Sequence, residues 1–143
     1  MSADPELTGK RVLVLGGETA LGRALAVGLA ERGADVAIAS LTTDTKAEFA
    51  INSALNELWA LGRRGVALPI DASDVAQVRD AVARAERELG RLDLAAVAVG
   101  ETKAALDVLR EALEGREVVV VEGEDAAAAL REVGERLAPS ASG

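Results

Sequence analysis

Five short apolar runs alternate with five helix-like segments along this chain, and that alternation restricts its architecture more firmly than any single residue does. The runs are Arg11 to Leu15, Asp35 to Ala39, Val66 to Ile70, Leu92 to Val99 and Glu117 to Val121. Each is continuously apolar at its centre rather than alternating with polar residues, as expected of a strand buried on both faces. Such strands separated by helices predict a parallel sheet covered on each side. Gly33, Gly65, Gly90 and Gly115 each stand just before a strand, where a helix end needs a left-handed residue. Helix starts are marked as well, since Thr45-Lys-Ala-Glu48 and Asp74-Val-Ala-Gln77 both read as capping boxes.

The helical segments carry the stripes this arrangement requires. Val75, Val78, Val82, Ala85 and Leu89 fall on one helix face, as do Leu106, Leu109 and Leu113, and then Ala126, Leu130, Val133 and Leu137. The segment Thr45 to Leu61 is different because it shows two faces. Ala47, Ile51, Leu55 and Leu58 form the sheet-facing stripe, while Phe49, Asn52, Asn56 and Trp59 line a second face that holds the only Phe and the only Trp of the chain. That second face reads either as a partly buried rim or as a contact between subunits, since aromatic residues are enriched in interface cores.

At 143 residues the chain fits a single domain, expected over residues 1–137, with the small polar stretch 138–143 as a disordered tail. Hydrophobic residues make up 50% and aromatics only 1%, so the core must be built from Ala, Val and Leu, with helices packed close to the sheet. A net charge of −8 opposes nucleic acid and anionic membranes as partners, since both reward clusters of Lys and Arg. There is no Cys and no His, which removes disulfides, thiolate metal sites and the commonest proton shuttle, and no metal site is expected. The opening Met-Ser-Ala-Asp-Pro-Glu has no basic segment followed by an apolar one, and no run approaches membrane-spanning length, so a cytoplasmic location is the expectation.

The chemistry-bearing stretch is Arg11-Val-Leu-Val-Leu-Gly-Gly-Glu-Thr-Ala-Leu-Gly22, a strand that ends in glycines and enters a helix. Such a turn aims backbone N–H groups at an anion and removes the Cβ atoms that would block its approach. The same glycines equally make an ordinary tight turn, and Asp71 equally caps the helix after it.

Thr8-Gly-Lys-Arg-Val-Leu-Val-Leu-Gly-Gly, followed by Leu21-Gly-Arg-Ala-Leu-Ala26, resembles the first strand, glycine turn and first helix of the short-chain dehydrogenases/reductases. Ala67-Leu-Pro-Ile-Asp71-Ala-Ser-Asp74 resembles that family's third strand with its Asp, and Gly90-Arg-Leu-Asp93 through Gly100 its fourth strand. The resemblance covers roughly residues 8 to 100 and is that of a truncated, degenerate member, like the family's N-terminal nucleotide-binding half. It implies that Gly16, Thr19, Ala20, Leu21 and Gly22 approach a pyrophosphate, that Asp71 and Ala72 lie beside the adenine, and that Val97 to Gly100 lie beside the nicotinamide. The implied cofactor is NAD or NADP. Dinucleotide sites usually carry an acid at the end of the second strand for the ribose hydroxyls, and that place holds Ser40 and then Leu41. No Arg stands there for a 2′-phosphate either, although Ser40, Thr42, Thr43 and Lys46 offer weaker donors and incline the expectation to NADP.

The chain also departs from the family's pattern. Ala20 replaces the middle glycine, Glu18 adds a negative charge to the loop, and Val97-Ala-Val-Gly100 stands in place of Asn-Asn-Ala-Gly. The family's Tyr-x-x-x-Lys pair and Ser have no counterpart, because the sequence has no Tyr at all. In the family the Tyr moves the proton that accompanies hydride transfer, and the Lys lowers its pKa. Glu101, Thr102 and Lys103 follow the fourth strand but form a poor substitute set, and no catalytic residue is assigned. After Gly123 the chain needs only one more helix, which leaves no substrate lobe to expect.

The fold expected is a Rossmann-like three-layer α/β/α sandwich whose five-stranded parallel sheet has the order 3-2-1-4-5 and right-handed crossovers. Two other five-stranded designs fail on chemistry. A phosphate-accepting receiver needs a Lys after its fifth strand, where Glu122 stands, and a flavodoxin needs a hydroxyl-rich loop flanked by aromatics. Three functions stay open: a dinucleotide-binding module, an oxidoreductase completed by a partner chain or by substrate-assisted proton transfer, and a structural or interaction subunit forming a homo-oligomer through the Phe49/Trp59 face.

Overall fold

The computed structural model describes residues 7–98, 106–121 and 125–137. Ten elements follow one another in strict alternation: β1 (Arg11–Leu15), α1 (Ala20–Glu31), β2 (Asp35–Ala39), α2 (Thr45–Ala60), β3 (Gly65–Leu68), α3 (Val75–Leu89), β4 (Leu94–Ala98), α4 (Leu106–Ala112), β5 (Val118–Val121) and α5 (Ala126–Leu137). The five strands form one parallel sheet of order β3-β2-β1-β4-β5, as the sequence predicts. Their order turns back at β1, so the carboxyl ends of β1 and β4 open the crevice where such sheets take ligands.

Alternate strand residues feed two separate cores. Val12, Val14, Val36, Ile38, Leu94, Ala96 and Ala98 pack under α1, α2 and α5. Leu13, Leu15, Ala37, Ala39, Ala95 and Val97 pack under α3 and α4. Both faces of the central strands are therefore dry, and the apolar runs need no alternation. Small side chains let helices approach closely: at Gly28 of α1 an added Cβ would sit 2.7 Å from Leu130 of α5.

Two local expectations are corrected. The N-cap of α2 is Asp44 rather than Thr45, because the Asp44 carboxylate already accepts from the Ala47 N–H at 2.8 Å, and Thr45 begins the helix. The left-handed residue ending α2 is Gly62 (φ 78°) and not Gly65, which is the first residue of β3. Gly62 N–H bonds Trp59 O and Arg63 N–H bonds Leu58 O, a Schellman closure that uses up the helix end three residues before the strand. Gly33, Gly90 and Gly115 do have the positive φ expected of them. Asp74 caps α3 through the N–H groups of Ala76 and Gln77, while the Gln77 side-chain Oε1 accepts from Asp71 N–H instead of closing the box at the Asp74 N–H.

The second face of α2 is open rather than a partly buried rim, with Phe49 76% and Trp59 56% exposed. The stretch 138–143 lies outside the described residues. Among the described residues no helix is long and apolar enough to cross a membrane.

Candidate functional site

The glycine turn between β1 and α1 is fixed by three steric facts. Gly16 has φ 91°, and a Cβ on it would lie 2.3 Å from the Ala98 carbonyl oxygen at the end of β4. A Cβ on Gly17 would meet the Ile38 side chain at 2.1 Å, and one on Gly22 would meet the Gly16 carbonyl oxygen at 2.0 Å. The first residue of α1 is thereby brought down onto the sheet edge. Gly16 and Gly17 N–H groups both donate to Ala39 O, at 2.9 and 3.1 Å, which ties the turn to the end of β2.

Thr19 caps α1 and closes the turn on itself. Its hydroxyl donates to Gly16 O at 2.7 Å and accepts from Gly22 N–H at 2.9 Å. The N–H groups of Ala20 and Leu21 find no acceptor among the described residues, and they are the helix-terminal donors that an anion would use. The Ala20 side chain is exposed beside them, while Leu21 and Gly22 are buried. The absence of a Cβ at Gly16, Gly17 and Gly22 is thus required by contacts within the protein, to Ala98, Ile38 and Gly16 itself, and the close turn they allow leaves the Ala20 and Leu21 N–H groups at the start of α1.

Glu18 does not simply add charge to this turn. Both of its carboxylate oxygens lie within reach of Leu41 N–H, at 3.1 and 2.9 Å, so the side chain crosses from the turn to the second residue after β2. Ser40, expected to offer its hydroxyl there, is wholly buried. Its Oγ donates to Ile70 O at 3.2 Å and accepts from Ile70 N–H at 3.0 Å, a latch between the ends of β2 and β3. Thr42 donates its hydroxyl to Asp44 at 2.7 Å.

Asp71 follows β3 and turns back on its own loop, its Oδ1 accepting from the Ser73 N–H at 2.9 Å and the Ser73 hydroxyl at 2.6 Å. Those bonds, the hydroxyl first, hold its carboxyl below the usual Asp value. Ala72 is buried and its N–H reaches Leu41 O at 3.0 Å, so the β3 loop leans on the β2 loop. Val97 is buried in β4, packed under α3 and α4. Gly100 lies outside the described residues, as do Glu101, Thr102 and Lys103. The remaining expected residues therefore gather at the carboxyl ends of β1 to β4. Sequence reasoning missed the pairing of Glu18 with Leu41. Its partner is a backbone amide 23 residues away, which no residue type announces.

A doubly wound parallel sheet whose glycine turn sits at its switch in strand order defines a Rossmann-type fold by class. Residues 10–115 match the short chain dehydrogenase family model, and the chain belongs to that family. Among curated relatives, the L-rhamnose 1-dehydrogenase (NAD(P)(+)) of Sphingomonas sp. strain SKA58 is 42% identical over 88 residues, 62% of this chain and 33% of that protein. The blue fluorescent protein from a metagenomic library, solved in complex with NADPH, superposes with a TM-score of 0.60 at 27% identity over 94% of this chain and 53% of that one. A short chain dehydrogenase from Mycobacterium paratuberculosis bound to NAD gives a TM-score of 0.61 at 27% identity, over 68% of this chain and 39% of that one. The chain matches about a third of the length of curated relatives such as the L-rhamnose 1-dehydrogenase.

Proposed function

We propose that this chain is an NAD(P)-type dinucleotide-binding module that carries out no hydride chemistry on its own. The observation that carries the binding half is the turn from Gly16 to Gly22 at the sheet's switch in strand order, where the Ala20 and Leu21 N–H groups at the start of α1 find no acceptor among the described residues. Relatives solved with NADPH and with NAD support a nicotinamide dinucleotide as the ligand class. In this reading the Ala20 and Leu21 N–H groups take the pyrophosphate, Ala72 and Asp71 flank the adenine, and Val97 near the end of β4 lies on the nicotinamide side. Support for the non-catalytic half is chemical: the sequence contains no Tyr and no His to move a proton at the carbonyl oxygen of a substrate.

A thermal shift with NAD, NADP, FAD, ATP and S-adenosylmethionine tests the reading. A dinucleotide at a hundredfold excess over its Kd should add about 2.7 kcal/mol of stability, and no shift from any of the five would end the proposal. Sustained NADPH oxidation by the purified chain across a panel of carbonyl compounds would instead favour the oxidoreductase reading, with the proton supplied by substrate or by a partner.

One observation favours a second role beside binding. The α2 face of Phe49, Asn52, Asn56 and Trp59 is exposed and carries no charge, on a chain whose net charge of −8 repels its own copies elsewhere. An identical α2 laid antiparallel across a two-fold axis would set Phe49 of one copy against Trp59 of the other, and a second copy is the occupant this face suits.

A further inference from the structure

The end of β2 is where a dinucleotide site distinguishes a plain ribose from a 2′-phosphorylated one, usually through the side chain that terminates the strand. Here that side chain is spent: Ser40 is fully buried and both its donor and its acceptor are taken by Ile70. Thr42, the next hydroxyl along, donates to Asp44, whose carboxylate is itself held at the start of α2. The side chain that holds the Leu41 main chain comes from outside β2. Glu18 reaches over from the glycine turn and sets its carboxylate on the Leu41 N–H at 2.9 Å.

We infer that Glu18 is the residue that selects the cofactor's adenosine ribose, taking the part of the missing β2 acid and favouring NAD over NADP. The inference rests on the dinucleotide reading above. Two effects act in the same direction. A carboxylate bound to one amide keeps acceptor lone pairs for the 2′- and 3′-hydroxyls of an unmodified ribose. The same negative charge repels a 2′-phosphate, and it occupies the Leu41 N–H that such a phosphate would otherwise use as a donor. Because β1 and β2 run in register, with Leu15 beside Ala39, the turn after β1 lies directly beside the end of β2 and a glutamate spans the gap. The Gly17 position helps: its lack of a side chain leaves Ile38 in place beneath, and the turn stays low enough for Glu18 to reach. The weaker donors that pointed to NADP in the sequence are reduced accordingly, Ser40 to a latch and Thr42 to a partner of Asp44.

Isothermal titration of the full chain with NAD+ and with NADP+, for wild type and for Glu18→Gln, decides the matter. Gln keeps the length and an oxygen for the Leu41 N–H but removes the charge, and its melting temperature serves as the check that the fold is kept. Wild type should bind NAD+ about tenfold or more tighter than NADP+, and Glu18→Gln should bring the two within about threefold, mainly by improving NADP+. Equal affinities in wild type, a preference for NADP+, or a ratio untouched by Glu18→Gln would each overturn the inference while leaving dinucleotide binding intact. A wild type that binds neither, with a Glu18→Gln variant that binds both, would make Glu18 a barrier rather than an acceptor and overturn it too. Binding of neither dinucleotide by either protein would remove the dinucleotide reading itself, and this inference with it.

Discussion

Gly16 and Gly62 have similar left-handed backbones, φ 91° and 78°, but their surroundings differ completely. A Cβ on Gly62 would meet nothing within 4 Å, whereas one on Gly16 would lie 2.3 Å from a backbone oxygen of β4 that cannot move without breaking the sheet. Substitution by Ala therefore separates conformational strain from steric exclusion. Gly62→Ala should cost about 1–2 kcal/mol for the left-handed backbone alone. Gly16→Ala adds an overpacking cost of about 1–3 kcal/mol, and urea denaturation midpoints measured side by side should show it as the more damaging change by at least that margin. A Gly16→Ala variant no worse than Gly62→Ala would show that β4 yields where the geometry says it does not.

At the scale of elements, two loop carboxylates contribute to acid stability. Asp44 is held below the usual Asp value chiefly by the Ala47 N–H and then by the Thr42 hydroxyl, and Asp71 chiefly by the Ser73 hydroxyl. A carboxyl depressed in the folded state contributes stability that is present above its unfolded pKa of 3.8 and is lost as pH falls through the lower folded value. Melting temperature should therefore decline as pH drops below about 4, and Asp44→Asn with Asp71→Asn should flatten that acid limb; an unchanged limb would place its cause elsewhere. These elements also show what a sequence can carry. β1, β2 and α3 have the bounds expected of them because a dry strand or a striped helix writes its own period into adjacent residues. The α2 cap moved by one residue because Asp and Thr adjoin and both cap well, and only the Ala47 N–H chooses between them. Gly65 misled because Gly62, three residues earlier, met the same conformational need first. In the candidate site the glycines and Asp71 were legible as residue types. The fate of the Ser40 hydroxyl and the reach of Glu18 were not, since both depend on amides 30 and 23 residues distant that only the folded sheet brings near.

For the whole molecule, the two cores leave Phe49 and Trp59 on the α2 face exposed, and Trp59 is the chain's single Trp. That indole reports assembly directly. In a monomer at low concentration its emission should be that of a solvated Trp, shifting to the blue as concentration rises if a second copy covers it. Light scattering should show the mass doubling over the same range, and Phe49→Ser should abolish both changes. An invariant mass with solvated emission at every concentration would remove the two-fold contact. Folding itself should be insensitive to Phe49→Ser, since the side chain is 76% exposed and touches neither core.

The Gly16 carbonyl has a further consequence for how such chains diverge. It receives the Thr19 hydroxyl and the Thr19 N–H, and Gly22 presses against it, all within the protein itself. Selection for a folded sheet is then enough to retain these glycines, with or without a ligand to be held. A lineage that abandoned its nucleotide would keep the glycines and lose Glu18 first, so inheritance of the turn records descent, and inheritance of the carboxylate records use.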